Sequence, residues 1–147
     1  MEPSGDGLAG GDARTLSFAG YRIDAAVLEQ LLRYQRTLVE ELGQGWSPAA
    51  MASAHRLALA ASGLSQGVVE RALAVLRRFA GNREVAARLR ARAASVDPQR
   101  AGDLGERIAA LDRELRERDD SDTIALLLQH EEPVLDLHRR LSRLLGA

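Results

Sequence analysis

The chain contains no cysteine among its 147 residues. Disulfides, thiolate metal sites and thiol nucleophiles are therefore excluded. Lysine is also absent, so all 20 basic residues are arginines. This usage, together with abundant alanine, glycine and leucine, is typical of proteins from bacteria with GC-rich genomes. Because a protein without cysteine can persist in either redox environment, its cysteine content leaves the compartment open.

Aromatic residues are scarce, at 3% of the chain, whereas hydrophobic residues together make up 46%. The core must therefore be built from leucine, valine, isoleucine and alanine. Such an aliphatic, alanine-rich composition favours close-packed helices over a sheet, which would use more β-branched and aromatic residues. We therefore predict an all-α fold, a compact helical bundle of five to six helices.

The sequence also lacks any apolar run near the ~20 residues of a membrane span. Its first residues, MEPSGDGLAGGDAR, have neither the basic nor the apolar region of a signal peptide. We therefore expect a cytoplasmic protein without a membrane span. The Gly, Pro, Ser and Asp content of residues 1–15 predicts a disordered tail, and residues 16–147 are expected to form a single helical-bundle domain.

Cap and stop signals divide the chain into helices. The predicted N-caps are Asp24, Ser47, Ser65 and Asp97. The glycines predicted to end the first three helices are Gly43, Gly63 and Gly81. Asn82 would then cap a fourth, weaker helix rich in arginine. Pro133 predicts a kink or a restart in the last helix, because proline removes a backbone hydrogen bond.

The segment Leu64–Gly81 has the widest apolar face. Its apolar residues fall within an arc of roughly 160° on a helical wheel, without a polar residue among them. They are Val68, Val69, Ala72, Leu73, Val75, Leu76 and Phe79. Since one neighbour cannot cover a face this wide, we expect several helices to pack around this segment.

Polar side chains interrupt the apolar faces of the first and last helices. Gln35 lies within the first face, and three polar residues fall within the last one if that helix continues through Pro133. Buried polar groups need hydrogen-bond partners, so these residues could form a ligand-binding or weakly catalytic pocket. The simpler alternative is that Gln35 bonds a histidine or a backbone carbonyl and the others lie at the rim of the bundle. The candidate pocket residues are Tyr34, Gln35, His130, Glu131 and His138, with His55 nearby.

Metal and cofactor motifs are missing. No Glu-x-x-His pair, His-Glu-x-x-His motif or pair of histidines at i, i+4 occurs. His130 and His138 are two helical turns apart, too far for one ion on a straight helix. No GxxxxGK[ST] motif occurs. GDGLAG at residues 5–10 and GLSQG at residues 63–67 match the letters of the dinucleotide-binding and hydrolase signatures, but neither follows a predicted strand, as those signatures require. We therefore expect no metal, no cofactor and no dedicated catalytic residue.

Two surfaces are candidates for an interface. Near the middle of the fifth predicted helix, apolar residues alternate at spacings of three and four, the pattern of a coiled-coil seam. This seam contains Leu104, Ile108, Leu111 and Leu115. Residues 71–100 carry eight arginines against two acidic residues, a net charge of +6. The arginines on the predicted fourth helix are Arg83, Arg88, Arg90 and Arg92.

These surfaces support the leading hypothesis, a non-catalytic bacterial interaction or regulatory module. Its partner would be a second copy of the chain or another protein. The arginines are expected to pair with the acidic fifth helix, within one molecule or across a dimer. Contact with a nucleic-acid phosphate backbone is a third alternative, which the lack of any base-recognition motif disfavours.

Overall fold

The computed structural model describes residues 21–146. In this part of the chain six helices follow one another and no strand occurs, which confirms the all-α bundle. The helices are α1 (Ala25–Leu42), α2 (Pro48–Ser62), α3 (Gln66–Ala93), α4 (Pro98–Arg118), α5 (Ser121–Gln129) and α6 (Glu131–Leu144). The tail predicted for residues 1–15 lies outside the described residues. Within residues 21–146, no helix has both the length and the hydropathy that crossing a membrane requires.

The first four helices begin at the predicted N-caps. The side chains of Asp24, Ser47, Ser65 and Asp97 each accept a hydrogen bond from the backbone N–H three residues further along. Each bond satisfies one of the donors that the first turn of a helix leaves without a partner. α2 ends at Gly63, whose φ of 73° lies in the left-handed region that favours glycine.

Gly81 does not end a helix, so that prediction is wrong. α3 continues through it to Ala93 and has 28 residues in all, a length of about 42 Å. Asn82 is not an N-cap, because its Nδ2 donates to the backbone oxygen of Leu111 on α4 at 2.8 Å. Ala86 and Leu89 in the second half of α3 are buried. Packing against α4 therefore outweighs the roughly 1 kcal/mol that a glycine costs inside a helix.

This continuity makes Gly81→Ala a stabilising substitution. A Cβ at Gly81 would have no neighbouring atom within 4 Å. Alanine should therefore raise the free energy of unfolding by about 0.5–1 kcal/mol, through its helix propensity and the reduced entropy of the unfolded chain. Urea denaturation followed by circular dichroism measures this. The control is Gly63→Ala, which should lower the free energy of unfolding because Gly63 has a positive φ. A loss of stability in Gly81→Ala would contradict the unbroken helix.

Pro133 is accommodated by an interruption of the helix at His130, three residues before it. α5 ends at Gln129, and His130, at φ −114° and ψ 24°, separates it from α6. Pro133 then lies in the first turn of α6. Because backbone nitrogens in a first turn have no intrahelical partner, the missing N–H of proline costs no hydrogen bond there.

The apolar face of α3 lies at the centre of the bundle, where it contacts α1, α4 and α6. Of its predicted members, all except Val68 are buried, and Val75 and Phe79 are completely covered. α2 packs mainly on α1, and its buried alanines, Ala54 and Ala58, let the two backbones approach closely. This arrangement places α1, α2, α3 and α6 around one end of the core.

Two arginines of α3 form ion pairs with acidic residues elsewhere in the chain. Arg78 Nη2 donates to Asp119 Oδ1 at 2.8 Å, at the end of α4. Arg83 donates to both carboxylate oxygens of Glu131, at 2.9 and 3.3 Å, at the start of α6. The arginines of α3 that face the bundle are thus partly neutralised by acidic residues within the same chain.

Candidate functional site

A cavity of about 270 Å³ lies where α1, α2, α3 and α6 meet. One part of its wall is aliphatic and comprises Leu38, Met51, Leu73, Leu141 and Leu145. The other part is polar and comprises Tyr34, Gln35, Arg77, His138 and Ser142. Apolar walls with a few convergent polar groups are the general composition of small-molecule sites.

Helical periodicity explains why these side chains meet. Residues three or four apart on a helix share a face. On α6 the spacing i, i+3, i+4, i+7 places His138, Leu141, Ser142 and Leu145 on the cavity. On α3 the same rule places Arg77 one turn after Leu73. α1 contributes Tyr34, Gln35 and Leu38. α2 contributes Met51 from its first turn.

Gln35 is buried in the wall, at 5% exposure. Its Oε1 accepts no hydrogen bond from any residue in the range 21–146. A buried acceptor left in this state costs about 1–3 kcal/mol. The terminal torsion of a glutamine side chain is broad, so rotation can present either Oε1 as an acceptor or Nε2 as a donor to the cavity. The carboxamide is therefore suited to orienting a polar group of a ligand.

Tyr34 links the cavity to α2. Its hydroxyl lies 2.7 Å from Nδ1 of His55, and the two rings meet edge to face, with centroids 5.8 Å apart. Burial raises the pKa of Tyr34, and the nearby Arg77 guanidinium opposes part of that rise. The hydroxyl consequently keeps its proton at neutral pH and supplies a neutral hydrogen-bonding group beside Gln35.

His138 is held at the wall by α3. Its Nε2 lies 3.5 Å from Oε1 of Glu84, and Oε2 of the same carboxylate accepts a hydrogen bond from Arg139 Nε at 2.9 Å. Glu84 therefore contacts two consecutive side chains of α6. These contacts fix the position of the imidazole relative to α3.

The structure brings together three of the five candidate pocket residues, Tyr34, Gln35 and His138. His130 and Glu131 do not line this cavity. His130 Nδ1 lies 3.0 Å from the backbone oxygen of Leu126, and Glu131 is paired with Arg83. The break at His130 separates these two residues from the continuous face on which His138 lies.

Sequence reasoning did not include Arg77 and Ser142 in the site. The signal for Ser142 was its spacing, one turn after His138. Arg77 lies at the edge of the apolar arc of α3, one turn after Leu73, where a long side chain can extend along an apolar surface.

The candidate interface residues lie elsewhere. In the seam of α4, Leu104 and Leu115 are buried within the chain, and Ile108 and Leu111 are half-buried. Of the candidate arginines, Arg83 is paired with Glu131. The other three, which are exposed and form no ion pair within residues 21–146, are Arg88, Arg90 and Arg92.

Among the described residues, no group of three or more His, Asp or Glu side chains is placed to hold a metal ion. Comparisons with protein-family models, curated proteins and solved structures found no match to this chain. The cavity is thus interpreted from its own geometry and chemistry.

Proposed function

We propose that this protein binds a small amphipathic molecule in the cavity between α1, α2, α3 and α6. The observation that carries the proposal is the Gln35 carboxamide, buried in the cavity wall with Oε1 lacking a hydrogen-bond partner within residues 21–146. Leucine and methionine side chains would cover the apolar part of the ligand, while Gln35 and Tyr34 orient its polar part. The volume is close to the lower end of the ~300–1,000 Å³ range of ligand pockets, which favours a small ligand.

Binding is supported better than catalysis. Ser142 and His138 both line the cavity, and a serine beside a histidine can be a nucleophile with its base. That chemistry needs a hydrogen bond between the two side chains, and the described residues contain none between this pair. His138 instead lies beside Glu84, which supports a role in shaping the wall.

An interaction module acting through self-association stays a prediction, as do a cytoplasmic location and a bacterial origin. Leu104 and Leu115 are buried within the chain, so the α4 seam has little free apolar surface for a second copy. Light scattering of the full chain tests self-association directly: a concentration-dependent dimer would support it, and a monomer at every concentration would exclude it.

The binding proposal is tested with 4-ethylphenol, which has an apolar body and one hydroxyl that can donate to Gln35. Isothermal titration calorimetry should show saturable binding to the wild type. Leu141→Trp fills the cavity and should weaken binding about tenfold, equivalent to about 1.4 kcal/mol. The matched control is Leu57→Trp, at an exposed leucine of α2 that does not line the cavity. No binding to the wild type, or equal binding to Leu141→Trp, would contradict the proposal.

A further inference from the structure

The charge on the cavity wall has one sign. Among the ten lining residues Arg77 carries a formal positive charge, and none is an aspartate or glutamate. Other cavities in the described part of the chain differ in this respect. The one between α3 and α4, which Arg77 also borders, includes Glu114 and Asp119, and the shallow one beside α6 includes Asp136. The lining therefore has a cation and hydrogen-bonding groups but no carboxylate of its own; the Glu84 carboxylate contacts His138 from outside the lining.

Arg77 differs from the neighbouring arginines of α3. Arg78 is paired with Asp119, and Arg83 is paired with Glu131. Arg77 forms no ion pair with any residue between 21 and 146, although it lines the cavity and its charge acts on Tyr34. A guanidinium presents paired N–H donors that match the two oxygens of a carboxylate.

Resting on the proposed binding function, we infer that the ligand is a small hydrophobic monocarboxylate whose acid group binds Arg77. Its apolar body would contact Leu38, Leu73 and Leu141, and the Gln35 carboxamide would hydrogen-bond a second polar group. A phosphate monoester would bring about two charges to a wall with one arginine. An ammonium ligand would meet the positive charge of Arg77 and no acidic residue in the lining. Phosphate monoesters and ammonium ligands are therefore both disfavoured.

Three compounds with the same phenol ring separate these possibilities: 4-hydroxyphenylacetate, neutral 4-ethylphenol and cationic tyramine. By calorimetry at low ionic strength, the carboxylate should bind the wild type about five- to tenfold more tightly than the neutral phenol, and tyramine should bind more weakly than both. Arg77→Gln should remove the preference for the carboxylate, measured as the ratio of the 4-hydroxyphenylacetate and 4-ethylphenol affinities of the same variant. Arg77→Lys should retain part of it.

Arg36→Gln is the matched control, because it removes the same charge from an exposed position on α1 that does not line the cavity. It should leave the preference intact; an equal loss in Arg36→Gln and Arg77→Gln would overturn the assignment to Arg77. If 4-ethylphenol binds and 4-hydroxyphenylacetate binds no more tightly, the inference fails and the binding function stands. If none of the three compounds binds the wild type, both fail.

Discussion

Replacing Arg78 with methionine is expected to lower the free energy of unfolding by about 3–5 kcal/mol. The reason is the burial of its partner, since the Asp119 side chain has no solvent exposure and its Oδ1 accepts a hydrogen bond from Arg78 at 2.8 Å. Methionine keeps much of the apolar stem and removes the guanidinium. The aspartate is then a charge inside the protein without its counterion. Urea denaturation followed by circular dichroism measures the loss.

The reverse substitution should cost less. Asp119→Asn removes the buried charge and leaves Arg78, whose side chain is 25% exposed and can be hydrated. We expect a loss of about 1–3 kcal/mol, in the range for a disturbed buried polar group. The double variant should be more stable than Arg78→Met alone, because it contains no uncompensated carboxylate. A larger loss in Asp119→Asn than in Arg78→Met, or strictly additive losses, would contradict this account.

Helix starts were predictable from sequence because they are local. An N-cap joins a side chain to a backbone N–H three residues away, so Asp24, Ser47, Ser65 and Asp97 could be assigned without any knowledge of the fold. The apolar arc of α3 was predictable for a similar reason, since helical geometry alone decides which side chains share a face.

The length of α3 was not predictable by the same rules. A glycine followed by an asparagine is a local signal for the end of one helix and the start of the next. At Gly81 and Asn82 that signal is overridden by contacts with α4, including the Asn82–Leu111 hydrogen bond across 29 positions of sequence. Propensities of about 1 kcal/mol are easily outweighed by packing along two helices.

The lining of the candidate cavity contains some of the residues proposed from sequence, and the break at His130 separates these from the others. Gln35 and His138 could be found because polar residues within apolar arcs face the core. The candidate set also contained His130 and Glu131, on the assumption of one arc through Pro133. Proline predicts a disruption without fixing the residue at which the chain breaks. Assigning Arg77 to the cavity wall requires knowledge of the facing helices, because a long side chain at the edge of an apolar arc can extend to either side.

The second large effect is expected at Phe79, the largest side chain that is fully covered in the core. Phe79→Ala removes its ring from the apolar face of α3, the face around which the bundle packs. Such truncations cost about 3–5 kcal/mol, through lost burial and the cavity left behind. That is a large fraction of the ~5–15 kcal/mol by which proteins are stable. Urea and thermal unfolding should therefore shift strongly to lower midpoints.

Phe79→Leu keeps the test informative if the alanine variant does not fold. Leucine retains most of the apolar surface, so its loss should be below about 1.5 kcal/mol and its cooperative transition should persist. The matched surface control is Leu57→Ala, at a leucine that is 48% exposed, where a much smaller loss is expected because less apolar surface is removed from burial. Equal losses in Phe79→Ala and Leu57→Ala would contradict the central position of α3, since a surface leucine would then contribute as much to folding as the best-covered aromatic ring.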